Sequence, residues 1–203
     1  MRYLLTALAL TAPFFVAQAS VAESLDAGQR EILSAEAGAM AIYEDARLEI
    51  AKAKASGAPR LHLSTLKWPK FKNLLVIPHE ISTLENLQVL YLTGTGVSDL
   101  APLAGLTQLK GLYLTKTQVS DLAPLANLTQ LDTLWLTETQ VSDLTPLANL
   151  TQLEMLSLTK TQVSDLAPLA NLTQLTMLDL TEIPASDFST LEPLVQSGLM
   201  VIK

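Results

Sequence analysis

No cysteine occurs in the 203 residues, so the chain can form neither a disulfide nor a thiolate metal site, and it has no thiol nucleophile. Histidine is almost as scarce. His62 and His79 are the only two, and neither has a metal-ligand pairing or an evident nucleophile beside it. Aromatic residues make up 5% of the chain and charged residues 16%, whereas 49% are hydrophobic, a balance that excludes disorder and allows a sizeable core. The formal charge of −7 argues against nucleic acid or an anionic membrane as the main partner. Catalysis and a bound cofactor therefore have little to rest on, and neither is expected.

No acidic residue precedes Glu23. The opening stretch at 1–22, MRYLLTALALTAPFFVAQASVA, places Arg2 before an apolar run and ends in two small-x-small sites, Ala17-Gln18-Ala19 and Ser20-Val21-Ala22. This is the layout of a secretory signal peptide, and the run is short and Pro-interrupted for a membrane span. Cleavage removes Arg2 and takes the charge from −7 to −8. The expected product is periplasmic or secreted, without stable membrane insertion after cleavage. An uncleaved anchor is the alternative.

What the chain has in abundance is leucine at a fixed interval. Leu84, Leu106, Leu128, Leu150 and Leu172 are evenly spaced, and the interval falls in the range of about 20–29 residues that signals a leucine-rich repeat solenoid. Within a unit the skeleton L-x-x-L-x-x-L-x-L, as in Leu106, Leu109, Leu112 and Leu114, predicts a strand with one buried face. Val119, Leu122 and Leu125 supply a second apolar set on the return leg. A single coil cannot cover both sets, so only stacked coils make a continuous core. The Ser-Asp pairs ending in Asp99, Asp121, Asp143, Asp165 and Asp187 precede a short turn and read as N-caps. Stacked aspartates could also hold a calcium ion, but each already has a capping task and the ligand set lacks variety. Asn127, Asn149 and Asn171 form N-x-T sequons that recur only because the repeat recurs.

The motif PLANLTQLxxLxLTxTQVSDL resembles the short repeats of bacterial internalins and related exported proteins, over about 74–203. The resemblance implies an α/β solenoid, a horseshoe segment with a parallel β-sheet on its concave face and an N-terminal helical cap. Family repeats usually carry asparagine where Thr95, Thr117, Thr139 and Thr161 stand here, which makes a hydroxyl ladder the expected substitute. The expected division is a signal peptide at 1–22, a helical cap at 23–59 and the repeat domain at 60–203. The last divides into an irregular first repeat at 60–83, regular repeats at 84–193 and a terminal half coil at 194–203. Leu25, Ile32, Leu33, Ala37, Met40, Ala41, Leu48 and Ala51 are expected to share the apolar side of the cap helix, which ends at Gly57 and Pro59. Met200 and Ile202 are expected to point inward on a last strand.

Copies beginning at Leu106, Leu128 and Leu150 differ at Lys110/Asp132/Glu154, Gly111/Thr133/Met155, Tyr113/Trp135/Ser157 and Lys116/Glu138/Lys160, and at Thr145. Four of these five columns lie on or beside the strand, where side chains between buried leucines must point outward. Scaffold letters repeat and concave-face letters vary. Tyr91, Tyr113 and Trp135 share one outward column, with His62 expected beside them, and Val89, Met155 and Met177 extend the adjacent one. With Lys116, Thr133 and Glu138 they form the expected partner-binding surface, since contiguous exposed aromatics mark contact sites. Cross-strand stacking without a partner is the competing explanation. A basic-aromatic cluster, Lys67, Trp68, Lys70, Phe71 and Lys72, can touch an anionic surface or pack its rings on the cap. The expected function is recognition of a protein partner, or of a cell-envelope glycan. The alternative is a structural, self-associating envelope protein.

Overall fold

The structure is a computed structural model that describes residues 27–203, with side chains from residue 34 onward. The leader read at 1–22 lies outside the described residues. The chain divides into two compact units, Met1–Met40 and Ala41–Lys203. Of the first unit, residues 27–40 are described, as the opening part of helix α1 (Ala27–Ser56).

The second unit begins with residues 41–56 of α1 and continues into a coil repeated along the chain. Its strands are β1 (Arg60–His62), β2 (Val89–Tyr91), β3 (Gly111–Tyr113), β4 (Thr133–Trp135), β5 (Met155–Ser157), β6 (Met177–Asp179) and β7 (Met200–Ile202). They form one open parallel sheet in chain order. Each return leg carries a 3₁₀ turn such as Ala123–Leu125, and a short helix α2 (Glu192–Gln196) precedes β7. This is the expected leucine-rich repeat solenoid with a helical cap.

The sequence builds this coil for simple reasons. Three-residue strands put one side chain inward and two outward, so Leu61, Leu90, Leu112, Leu134, Leu156 and Leu178 line up behind the sheet. In the coil starting at β3, the seven aliphatic residues Leu112, Leu114, Val119, Leu122, Leu125, Leu128 and Leu131 are all at most 1% exposed. Burying each stabilises by roughly 1.5–3 kcal/mol before ordering entropy is subtracted. Proline enters the 3₁₀ turns of the four regular coils, Ala101–Leu103, Ala123–Leu125, Thr145–Leu147 and Ala167–Leu169, near their start, where its fixed φ suits the turn and its missing N–H costs nothing.

The threonine column works within each coil. Thr95, Thr117, Thr139 and Thr161 donate their hydroxyls to the carbonyls of Leu92, Leu114, Leu136 and Leu158 at 2.8, 2.7, 2.6 and 2.6 Å. Neighbouring coils are joined instead by backbone bonds, Gln118 N–H to Val97 O and Gln140 N–H to Val119 O, both at 2.9 Å. The aspartates are not the N-caps expected of them, which are Leu100, Leu122, Leu144, Leu166 and Phe188, but stand one residue earlier and bond the first N–H of each turn. Asp99, Asp121, Asp143 and Asp165 each accept from the N–H two residues on at 2.8 Å, and Asp187 does so at 2.9 Å.

Two expected side-chain directions are corrected. Within residues 41–56 of α1 the buried stripe is Ala46, Ile50 and Ala53 with Ile42 packed against the core, whereas Leu48 is 53% exposed and Ala41 and Ala51 face solvent. Ala46, Ile50 and Ala53, at intervals of four and three, share one side of the helix, and Leu48 falls on the opposite side. Lys70–Asp45 at 2.7 Å and Arg47–Glu80 at 2.5 Å tie this part of α1 to the coil. Gly57, at φ 63°, ends the helix while Ala58 N–H bonds Ala53 O at 3.0 Å. On β7 the register pairs Val201 with Leu178, so Val201 and Leu199 turn inward. Met200 and Ile202 point outward, at 57% and 40% exposure, because a one-residue offset on a strand exchanges its faces.

From β2 to β6, the residue two after the buried L-x-L sits in left-handed backbone: Gly94 at φ 76°, then Lys116, Glu138, Lys160 and Glu182 at 59°, 56°, 55° and 57°. Only at Gly94 does space forbid a side chain. A Cβ there would overlap Thr65 Oγ1 and lie 3.2 Å from Thr65 Cβ, so the threonine must both rotate and shift by a few tenths of an ångström to admit it. Gly94→Ala is expected to destabilise the chain by about 2 kcal/mol, with most of the loss recovered in the Thr65→Gly, Gly94→Ala double variant. Chemical denaturation of the two single variants and the double variant checks this; an undiminished loss in the double variant would place the cost in the backbone rather than in the contact.

Candidate functional site

The concave face is the outer side of the sheet, and in-register parallel pairing arranges it in columns. His62, Tyr91, Tyr113 and Trp135 occupy consecutive positions of one column. Strands about 4.8 Å apart set like residues near ring-stacking distance. His62 and Tyr91 stack at 4.1 Å with planes 3° apart, Tyr91 and Tyr113 at 4.6 Å and 15°, and Tyr113 and Trp135 meet at 5.8 Å tilted by 45°. The faces of the inner rings cover one another, so these rings are half-buried and turn their edges to solvent. Trp135 ends the stack and is 38% exposed.

Burial, reinforced by Lys67 and Arg60, lowers the His62 pKa and favours the neutral imidazole at the head of the stack. Burial, with Tyr91 and Asp132 adding to it, raises the Tyr113 pKa and keeps its hydroxyl protonated.

Past Trp135 the same column changes chemistry. Ser157 is buried, its Oγ 2.7 Å from Thr137 Oγ1 and 3.4 Å from Thr159 Oγ1. Asp179, next in register, accepts from the Thr181 hydroxyl at 2.7 Å and the Thr181 N–H at 3.0 Å. Burial pushes the Asp179 pKa up, but the bonds from Thr181 and the Thr159 hydroxyl outweigh it and hold the carboxyl below its ordinary value. The hydroxyl cluster continues the aromatic column at the same spacing, but Thr137, Thr159 and Thr181 lie past the strands and meet Ser157 and Asp179 only once the coils stack.

In the adjacent column Met155 is 36% exposed, Val89 and Met177 are half-buried, and Thr133 is buried with its hydroxyl 2.8 Å from Asp132 Oδ1. The concave face thus joins an aromatic and thioether strip to a hydroxyl-carboxylate strip. Lys116 and Glu138 lie on the adjoining turns, 3.6 Å apart, as do Lys160 and Glu182. These exposed pairs are worth about 0–1 kcal/mol each. Among the described residues, no group of three or more His, Cys, Asp or Glu converges as a metal site.

The convex edge is electrostatically simple and gives a pH signature. The Thr145 hydroxyl and N–H lower the Asp143 pKa, and the Ser189 N–H and hydroxyl lower that of Asp187. A depressed folded-state pKa contributes stability that is present above the unfolded value, near pH 4, and is lost as pH falls through the folded value. Melting temperature should therefore change little from pH 7 to about pH 5 and begin to fall below about pH 4, by a small amount from these two exposed carboxylates. Asn at 143 and 187 keeps an acceptor without the titration and should make that acid limb shallower; an unchanged limb would assign acid unfolding to other carboxylates.

The coil geometry and this concave sheet define a leucine-rich repeat protein. A family model described as leucine-rich repeats in two copies matches residues 85–127 and again 107–149. Internalin C2 of Listeria monocytogenes is similar in structure at 36% identity and TM-score 0.54, covering 66% of this chain and 64% of that one. A second internalin of that bacterium is similar at 28% identity and TM-score 0.56, covering 79% and 54%. A leucine-rich repeat protein of Leptospira interrogans shares the fold at 22% identity and TM-score 0.59, covering 64% of this chain and 35% of that one. No curated protein matches by sequence. The chain has the leucine-rich repeat fold and is similar to these internalins, and it spans less than two thirds of each of these solved structures. Such solenoids present extended concave surfaces to protein partners and are in general recognition modules rather than enzymes. Among the described residues, no helix is long and apolar enough to cross a membrane.

Proposed function

We propose that the chain is an exported, non-enzymatic recognition module that binds a protein partner through the concave face, with Tyr91, Tyr113 and Trp135 as anchors and Val89, Lys116, Thr133, Glu138, Met155 and Met177 around them. The observation that carries this reading is the four-ring stack ending in the exposed indole of Trp135. Large rigid side chains bury much area at little entropic cost, and Tyr and Trp are frequent binding hot spots. Cross-strand stacking alone accounts for the inner rings and leaves the exposed Trp135 and Met155 without a role. Export is read from the leader at 1–22, which places the partner in the periplasm, at the cell surface or in the medium. An envelope glycan is the finer alternative for the same face.

Affinity capture from the producing cell's envelope and medium tests the proposal, using the native chain beside a folded Tyr91→Ala, Tyr113→Ala, Trp135→Ala variant. Retention of one partner by the native face alone supports it. Identical capture by both, or none by either, removes the aromatic column from the function.

Self-association is the second reading, favoured by the outward Met200 and Ile202 on edge strand β7 together with the exposed Val195. A mass in solution of one chain, unchanged by Met200→Ser and Ile202→Ser, would discard it.

A further inference from the structure

The first coil is longer than the others. The chain takes a longer path from Arg60 to its register partner Val89 than from Val89 to its own partner Gly111. Much of the extra length lies in LKWPKFKNLLV, residues 66–76, which holds three lysines and no acidic residue in a chain of net charge −7.

Its apolar side chains divide sharply. Phe71 and Leu74 are buried and anchor the stretch to the core, whereas Leu66, Trp68, Leu75 and Val76 are 82%, 37%, 58% and 45% exposed. In the regular coils no comparably short stretch holds such a group of large exposed hydrophobics, so the exposure belongs to this segment rather than to the repeat. Lys67 and Lys70 place their ammonium groups 5.5 and 5.9 Å from the Trp68 ring, and Lys70 also pairs with Asp45 at 2.7 Å. Among the described residues Lys67 and Lys72 make no ion pair.

We propose that the 66–76 segment docks the protein on an anionic phospholipid surface, Leu66 and Trp68 entering the headgroup boundary while Lys67 and Lys72 meet lipid phosphates. Each part of the segment suits that phase. Indole rings prefer the membrane interface, lysines keep their charge in the headgroups while their stems lie along apolar surface, and a positive patch on an acidic protein orients it toward a negative bilayer. Contact of this kind is peripheral and reversible. Lys67 lies near His62 at the head of the aromatic column, whereas Tyr113 and Trp135 stand on later coils.

The test uses the full chain carrying Trp135→Phe, so that Trp68 is its sole tryptophan, and vesicles of phosphatidylglycerol and phosphatidylcholine in equal parts or of phosphatidylcholine alone. The expected result is co-sedimentation and a blue shift of Trp68 emission with the anionic vesicles, weakened by raised salt. Lys67→Gln and Lys72→Gln should each lower partitioning about fivefold. Leu66→Ser should lower it further with melting temperature unchanged, because this side chain is almost fully exposed. The apolar leader read at 1–22 is common to all chains, so the Trp68 emission shift, rather than sedimentation, reports the segment. The proposal is overturned if anionic vesicles give no Trp68 blue shift at low salt, if the blue shift persists in the triple variant Leu66→Ser, Lys67→Gln, Lys72→Gln, or if heparin binds as tightly as vesicles without any shift of Trp68.

Discussion

Leu134→Ala lowers the unfolding free energy by about 3–4 kcal/mol, which for a chain of this size is roughly a 10 °C fall in melting temperature. Leu134 is fully buried at the centre of β4, with Leu112 and Leu156 beside it in register. Truncation removes transfer free energy and leaves a cavity, and the cavity persists because the coils on either side are backbone-bonded at fixed spacing. Collapse would have to shorten the inter-strand bonds Asp132 N–H to Lys110 O and Glu154 N–H to Asp132 O, already at 2.8 Å. A solenoid adds a further consequence. Each coil contacts only its neighbours, so a weak central coil uncouples the two halves and broadens the transition. Val201→Ala, at a partly buried position on edge strand β7, should cost less than about 1 kcal/mol and leave the transition sharp. Urea titrations of both variants decide the matter. A loss of under about 1.5 kcal/mol for Leu134→Ala would show that adjacent coils close the gap.

Trp135→Ala should reduce affinity for the captured partner at least 30-fold, corresponding to about 2 kcal/mol, while melting temperature falls by no more than a few degrees. The indole is the exposed end of the stack, so its loss uncovers one face of Tyr113 and little else. Tyr113→Ala differs because this ring has neighbours on both sides, Tyr91 at 4.6 Å and Trp135 at 5.8 Å. Its removal should weaken binding and also cost about 1–2 kcal/mol of stability, since each stacked pair is worth roughly 0.5–1.5 kcal/mol. Opposite balances in the two variants are the specific expectation. If Trp135→Ala destabilises the fold as much as Tyr113→Ala and leaves capture intact, the column is structural and the partner lies elsewhere.

The sequence by itself determined the solenoid. A strict leucine interval and an L-x-L strand have one economical solution, stacked coils, because the apolar faces of one coil cannot be covered in any other way. It also determined the outward aromatic column from Tyr91 to Trp135, since register follows from the repeat and side chains alternate along a strand. The aspartates that bond each turn were legible for the same reason, as each of the four from Asp99 to Asp165 stands just before a proline-containing turn.

Tertiary structure decided what the period does not encode. Which side of α1 packs on the coil was settled by the contact itself, which buries Ala46, Ile50 and Ala53 and leaves Leu48 in solvent. At β7 the repeat had decayed, and only hydrogen-bonded pairing fixed Val201 inward with Met200 and Ile202 outward. The hydroxyl-carboxylate strip from Ser157 to Asp179 and the exposed apolar residues of the long first coil emerged in the same way. Their chemistry comes from neighbours brought together across coils, and contacts between coils are a property of the stack, not of any one repeat.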